Sequence, residues 1–182
     1  MAGPPRHLDR PTIELSSMSA AAIVSVEDYL HRTEKPYCEY IDGVLYPKAM
    51  PTKLHALVQK ILMTLLEKQG VEALSEVTVR LSATKFLIPD VIAAPTIQSP
   101  YPTEPVLLCV EILSPDDRVG AMLAKCELYH AWGVPFCWVI DPEKQTAWQY
   151  HSGGEPQRLE RGGTLTAGDL SVQLEELFEQ PR

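Results

Sequence analysis

The sequence lacks any apolar run as long as the ~18 residues that a membrane-spanning helix needs. Its start lacks a basic stretch followed by an apolar one, so no signal peptide is predicted. The four cysteines, Cys38, Cys109, Cys126 and Cys137, show no Cys-x-x-Cys spacing, and three lie in apolar contexts. Reduced thiols in a core are therefore favoured over a zinc site or a disulfide. These absences indicate a cytoplasmic protein.

Basic residues are also few, since 16 Lys and Arg oppose 24 Asp and Glu and give a formal net charge of -8. A protein that coats duplex nucleic acid over a broad face is basic, so that class is disfavoured. A metal enzyme is compatible with this charge, because its site acids add to the negative count and its bound cation can still attract phosphate. No Gly-x-Ser-x-Gly motif occurs, which disfavours a serine hydrolase.

The chain of 182 residues is long enough for one domain with a substantial core. Residues 1–20 are rich in proline and aperiodic, which predicts a flexible N-terminal tail before a domain over 21–182. No internal repeat is present.

Two apolar, strand-like segments each carry a single acid. Residues 86–94 contain Asp90, and residues 106–113 contain Glu111. An ionised carboxylate in a buried strand is costly unless it is compensated, and a bound cation is the usual compensation. Two such acids on adjacent strands predict a divalent-metal site, with Mg²⁺ favoured and Mn²⁺ as the alternative.

Residues 37–46 have the pattern of a β-hairpin, with Asp42-Gly43 as its two-residue turn. Glu39 falls in the first arm, either as an exposed strand residue or as a third acid of the site. A short helix is predicted before this hairpin, from a capping box at residues 25–28.

A strong amphipathic helix is predicted over 53–69, capped by Thr52 and ended by Gly70. His55 lies on the flank of its apolar face. That position suits a half-buried structural histidine, or a supporting role near the site, since the helix begins just after the hairpin.

Residues 71–81 are predicted to be extended, and the strand that carries Asp90 returns antiparallel after a turn at 82–85. Pro89 has no N–H and therefore marks an edge, bulge or bend in that strand. Such a bend would direct Asp90 away from the regular ladder.

Residues 106–113, 118–132 and 135–141 predict a right-handed βαβ unit with parallel strands. Ser114 is expected to cap the segment after the first strand, with Pro115 at its first position, and Gly133 to end the helix. Lys125 lies at the edge of the helix's apolar stripe. Its ammonium either reaches the strand ends or is solvated.

Two further strands (145–151 and 157–159) and a short closing helix (174–178) complete the predicted domain. Trp148, Tyr150 and Leu159 on the outer strands either form a homodimer contact or pack on the closing helix.

Several blocks in this order resemble a known family. They are Glu39 with the hairpin that follows, His55, Pro89-Asp90-Val91, residues 110–118 (VEILSPDDR), Lys125 with Tyr129, and residues 133–142 (GVPFCWVIDP). Together they resemble the putative restriction endonuclease domain family of the PD-(D/E)XK nuclease superfamily.

The resemblance implies an α/β (α+β) fold, a restriction endonuclease-like mixed β-sheet flanked by helices, and metal-dependent nuclease activity. It puts Asp90 and Glu111 at the metal-ligand positions and Glu39 at the early acid position. The chain departs from the wider superfamily at Leu113, where a lysine is expected. Lys125 is the replacement that the closer family implies.

Two functions follow as hypotheses. The first is a Mg²⁺-dependent endonuclease that hydrolyses DNA phosphodiester bonds through metal-activated water, assisted by Lys125. The second is a catalytically silent nuclease-fold protein with a binding or assembly role. A rim of basic residues around the acids would favour the first, and Lys48, Lys53, Lys85 and Arg118 are its candidates. Each of the four is otherwise a solvated surface charge.

Overall fold

The computed structural model describes residues 23–35 and 37–179, so the predicted tail over 1–20 lies outside the described residues. The helices are α1 (Val26–Leu30), α2 (Lys53–Glu67), α3 (Val119–Trp132) and α4 (Leu174–Phe178). The first six strands are β1 (Cys38–Ile41), β2 (Val44–Pro47), β3 (Glu72–Ser75), β4 (Val79–Ser82), β5 (Lys85–Leu87) and β6 (Val91–Ala94). The other six are β7 (Leu108–Ile112), β8 (Phe136–Asp141), β9 (Thr146–His151), β10 (Gln157–Leu159), β11 (Thr164–Ala167) and β12 (Leu170–Gln173).

The strands form a six-stranded mixed sheet, a four-stranded antiparallel sheet and a separate hairpin. The six-stranded sheet has the order β10-β9-β8-β7-β6-β3, and the four-stranded sheet has the order β2-β1-β5-β4. Strands β7 and β8 pair in parallel, with α3 between them in the chain, as the βαβ pattern predicts. The α+β class with flanking helices is confirmed.

The two sheets are joined where the sequence predicts one bent strand over 86–94. The backbone instead forms two strands, because β5 pairs in the four-stranded sheet and β6 in the six-stranded sheet. The break contains Pro89 and Asp90. The bend is therefore where Pro89 predicts it, but its effect is larger: it moves the chain from one sheet to the other.

The extended segment over 71–81 is divided in the same way. Strand β3 pairs with β6 and strand β4 pairs with β5, so these two strands belong to different sheets. Glu76 lies between them with φ 57°, a left-handed conformation that is uncommon for residues other than glycine. This turn explains why the segment is not one strand.

The helices begin and end close to their sequence signals, with one exception. The Thr52 hydroxyl accepts the His55 N–H at 3.2 Å at the start of α2, as predicted. Ser114, however, does not cap a helix, because α3 begins after Arg118. The Ser114 N–H donates instead to the Asp117 carboxylate at 2.8 Å, which forms a turn ahead of the helix.

Alternate side chains of β7 point to opposite faces of the sheet and pack in two different hydrophobic clusters. Val110 and Ile112 face one cluster, which contains Leu62 and Leu66 of α2. Cys109 faces the other, which lies beneath α3. Trp148 and Tyr150 pack with the second cluster and Leu159 with the first, so these outer-strand residues have intramolecular contacts.

In the part of the chain that the structure describes, no helix combines the length and apolar character needed to cross a membrane.

Candidate metal and active site

Three acids from distant parts of the sequence are buried at the junction of the two sheets. Glu39 lies in β1, Asp90 lies in the break before β6, and Glu111 lies in β7. Their exposed fractions are 6%, 4% and 2%, respectively. Buried carboxylates of this kind need charged or hydrogen-bonding partners, because an isolated ion loses its hydration. The exposed-strand alternative for Glu39 is therefore wrong.

Lys125 connects two of these acids. Its Nζ lies 2.8 Å from Glu39 Oε1 and 2.8 Å from Glu111 Oε1. One helical turn later, the Tyr129 hydroxyl donates to the same Glu111 oxygen at 2.6 Å. From the edge position of Lys125 on α3, its ammonium thus contacts one carboxylate of each sheet. The alternative that this ammonium is solvated is wrong.

Asp90 is held beside Glu111 by the backbone. Its Oδ2 accepts the N–H of Ile112, the residue after Glu111, at 2.7 Å. Its main-chain oxygen accepts from the Gln59 amide of α2 at 2.8 Å. Glu39 is fixed in the same manner, since its Oε1 also accepts the Ile88 N–H at 2.9 Å. The break between β5 and β6 therefore orients two of the three acids.

Lys48 is a second lysine inside the cluster. Its Nζ lies 2.6 Å from Asp90 Oδ1 and 3.4 Å from Glu76 Oε1, and it donates to the Ile88 carbonyl at 2.7 Å. Of the predicted basic rim, Lys48 is thus part of the site itself. Lys85 pairs with Asp42 of the hairpin turn at 3.6 Å.

His55 completes the cluster from the first turn of α2. The residue is only 4% exposed, and its Nε2 lies 3.7 Å from Asp90 Oδ1. Neither ring nitrogen has a hydrogen-bond partner. The supporting role near the site is thus the alternative that the geometry favours for this residue.

Charge within the cluster is not balanced, because three buried carboxylates meet two ammonium groups. Burial raises the pKa of Glu111 to about 7, against the lowering effect of Lys125. Burial opposes the charged form of Lys125 as well, but Glu111 and Glu39 raise its pKa. For Asp90, burial would raise the pKa, but Lys48 and His55 outweigh it and lower that pKa. Asp90 is therefore held in its ionised form more firmly than Glu111.

The raised pKa of Glu111 predicts that the metal-free protein loses stability as the pH rises from 4.5 to about 7. In this window an unfolded glutamate has lost its proton while folded Glu111 retains it. The native state then binds more protons, so the free energy of unfolding falls with pH. Urea unfolding at about pH 5 and pH 7.5, with chelator, should show this fall in the parent and a smaller one in Glu111→Gln. An equal fall in both proteins contradicts the assignment.

The donors present fit a divalent metal ion. Carboxylate oxygens are the ligands that Mg²⁺ and Mn²⁺ take in proteins. Among the described residues, one group of three acidic, histidine or cysteine side chains places its donor atoms within 4.8 Å of one another: His55, Glu76 and Asp90. The unpartnered imidazole in that group is a buried donor without another role. The site thus has oxygen ligands and one available nitrogen.

The family model described as "Uma2: Putative restriction endonuclease" matches residues 26–180. The chain belongs to the Uma2 family. The family resemblance noted from the sequence is thereby confirmed, and it extends over both sheets. No curated protein matches the Uma2 chain.

Two solved structures are similar to this Uma2 protein. One is a crystal structure described as a putative nuclease belonging to DUF820 from Anabaena variabilis ATCC 29413. It has a TM-score of 0.70 and 21% identity over 85% of this chain and 97% of that one. The other, a cryoEM structure of a DrdV–DNA complex, has a TM-score of 0.40 and 22% identity over 56% of this chain and 65% of that one. The first likeness confirms the restriction endonuclease-like fold.

Proposed function

We propose that this Uma2 protein is a metal-dependent endonuclease that hydrolyses DNA phosphodiester bonds. The observation that carries the proposal is the convergence of Glu39, Asp90, Glu111 and Lys125 in one buried cluster. These four residues come from two strands, the break between β5 and β6, and one helix, and no packing requirement of an apolar core accounts for them.

In this proposal Asp90 and Glu111 hold the metal ion, which is Mg²⁺ or Mn²⁺. A divalent ion there would lower the pKa of a coordinated water and stabilise negative charge on a phosphate. Lys125 donates from its ammonium to the charge that develops on the phosphate oxygens. Glu39 positions Lys125 through the 2.8 Å contact between them.

DNA is the proposed substrate because the family description is that of a restriction endonuclease. With one site per chain, cleavage of both strands of a duplex is most direct in a two-fold dimer, so a homodimer is part of the proposal. A cytoplasmic location is proposed from the sequence composition.

A second candidate is a nuclease-fold protein that binds or assembles without turnover. The observation in its favour is that Lys48 and Lys125 each form a direct ion pair with a site acid. These ion pairs offset part of the acids' charge without a metal ion. The net charge of -8 also favours a protein with no broad nucleic-acid surface.

The test incubates the purified protein with supercoiled plasmid, linear duplex DNA or single-stranded RNA, in Mg²⁺, Mn²⁺ or chelator. We expect metal-dependent nicking of DNA by the parent and none by Asp90→Asn prepared in parallel. Cleavage of RNA but not of DNA would mean that the substrate is RNA. Nicking that persists in Asp90→Asn would mean that the activity is not located in this site.

A further inference from the structure

The proposed hydrolysis assigns no step to His55, although its imidazole is buried beside Asp90. Both ring nitrogens are buried and have no hydrogen-bond partner. An unsatisfied buried polar group is costly, and one in a native structure calls for a specific explanation. A ligand that binds the imidazole would supply such an explanation.

The surroundings of the imidazole define the kind of ligand. Its Nε2 lies 3.7 Å from Asp90 Oδ1, and the donor atoms of His55, Asp90 and Glu76 lie within 4.8 Å of one another. Nitrogen and oxygen ligands each lie roughly 2.0–2.2 Å from a shared transition-metal ion, so two of them are about 3–4.4 Å apart. The three side chains need only a small adjustment to bind one ion.

Lys48 contacts two of the three donor residues. Its Nζ contacts Asp90 Oδ1 at 2.6 Å and Glu76 Oε1 at 3.4 Å, which are carboxylates of two of the three donor residues. The side chain is mostly buried and is anchored by its 2.7 Å bond to the Ile88 carbonyl. An ammonium group and a metal ion cannot both occupy this space.

We propose that His55, Glu76 and Asp90 form a transition-metal site that the Lys48 ammonium fills in the metal-free protein. Metal binding displaces Lys48 from Asp90, so Lys48 acts as a tethered competitor that lowers metal affinity. The imidazole gives the site a preference for Mn²⁺ over Mg²⁺, because nitrogen ligands favour transition metals and Mg²⁺ favours oxygen. The inference deepens the proposed function, on which it rests through the shared ligand Asp90.

The arrangement explains two features that a site of Asp90 and Glu111 alone leaves unexplained. One is the unpartnered imidazole. The other is the conformation of Glu76. This residue is exposed, but its left-handed backbone directs its carboxylate toward the cluster. Positive-φ residues of this kind are strained and are retained where the surroundings require them.

The experiment measures Mn²⁺ and Mg²⁺ binding by titration calorimetry, with no nucleic acid present, for the parent and five variants, one of which is Asp90→Asn. We expect His55→Gln and Glu76→Gln to weaken Mn²⁺ binding about tenfold or more, and Lys48→Met to strengthen it about tenfold or more by removing the competitor. The parent should bind Mn²⁺ more tightly than Mg²⁺, and His55→Gln should reduce that ratio. Lys60→Met, on the exposed face of α2, is the control and should match the parent.

Three results overturn the inference. In the first, His55→Gln and Glu76→Gln bind Mn²⁺ as the parent does, and Asp90→Asn does not bind it. His55 and Glu76 are then not metal ligands, although the proposed nuclease site at Asp90 stands. Unchanged affinity in Lys48→Met, with its fold verified by thermal unfolding, refutes the competitor role. Absence of Mn²⁺ binding in the parent contradicts the inference and the proposed function together. Glu76 is exposed, so lost binding in Glu76→Gln does not reflect misfolding.

Discussion

Replacement of Lys125 by Met is expected to lower the free energy of unfolding by about 3–5 kcal/mol in the absence of metal. The substitution preserves the length of the side chain but removes its charge. Glu39 and Glu111 then lose the ammonium that contacts each of them at 2.8 Å. Both acids stay buried, so each either remains charged without a partner or must take up a proton, and either outcome costs more than the ion pair itself contributes. Urea unfolding in chelator measures the change.

Two further proteins make this test specific. Lys60→Met removes an exposed lysine from α2 and should change stability by less than about 0.5 kcal/mol. The double variant Lys125→Met/Glu111→Gln should be more stable than Lys125→Met alone, because a glutamine at position 111 needs neither a partner charge nor a proton. A single variant as stable as the parent would show that Lys125 does not hold the two acids in solution.

Replacement of Glu111 by Gln is expected to lower metal-dependent DNA cleavage about 100-fold or more. Glutamine has nearly the same shape, and its amide oxygen can still accept the Tyr129 hydroxyl. The variant loses a negative ligand for the metal while the fold is retained. Nicking of supercoiled plasmid under Mn²⁺ gives the rate.

Glu67→Gln provides the matched control, since it makes the same chemical change at an exposed residue at the end of α2. It should cleave at the parental rate. If Glu111→Gln cleaves as fast as Glu67→Gln, Glu111 has no part in the reaction, and the proposed ligand pair is wrong.

The sequence predicts most of the framework because its signals are local. The Asp42-Gly43 turn, the Thr52 cap, the apolar face of α2 and the βαβ spacing all depend on neighbouring residues, and the structure confirms each of them. Lys125 could also be placed, because its position on the helical wheel fixes its direction relative to β7. Convergence with Glu39 then follows from the junction of the two sheets at the break between β5 and β6.

Other features depend on contacts that no local pattern encodes. Lys48 follows β2 with no signal other than its charge, and its partner Asp90 is 42 residues away. Glu76 reaches the site through a backbone turn between two sheets, whereas the alternating residues around it suggest a plain strand. The hairpin of β11 and β12 is short and polar on one face, so its pattern resembles that of a loop.

The most direct test of the central claim compares Mn²⁺ occupancy with the rate of plasmid nicking on a single preparation of the parent and of Asp90→Asn. If the buried cluster is a metal-dependent nuclease site, the cleavage rate rises in proportion to occupancy in the parent, and both are lost in Asp90→Asn. Saturable Mn²⁺ binding that requires Asp90, with no cleavage of plasmid, duplex or single-stranded substrates, would contradict the claim that the cluster is a nuclease site. The silent binding or assembly role would then be the better account.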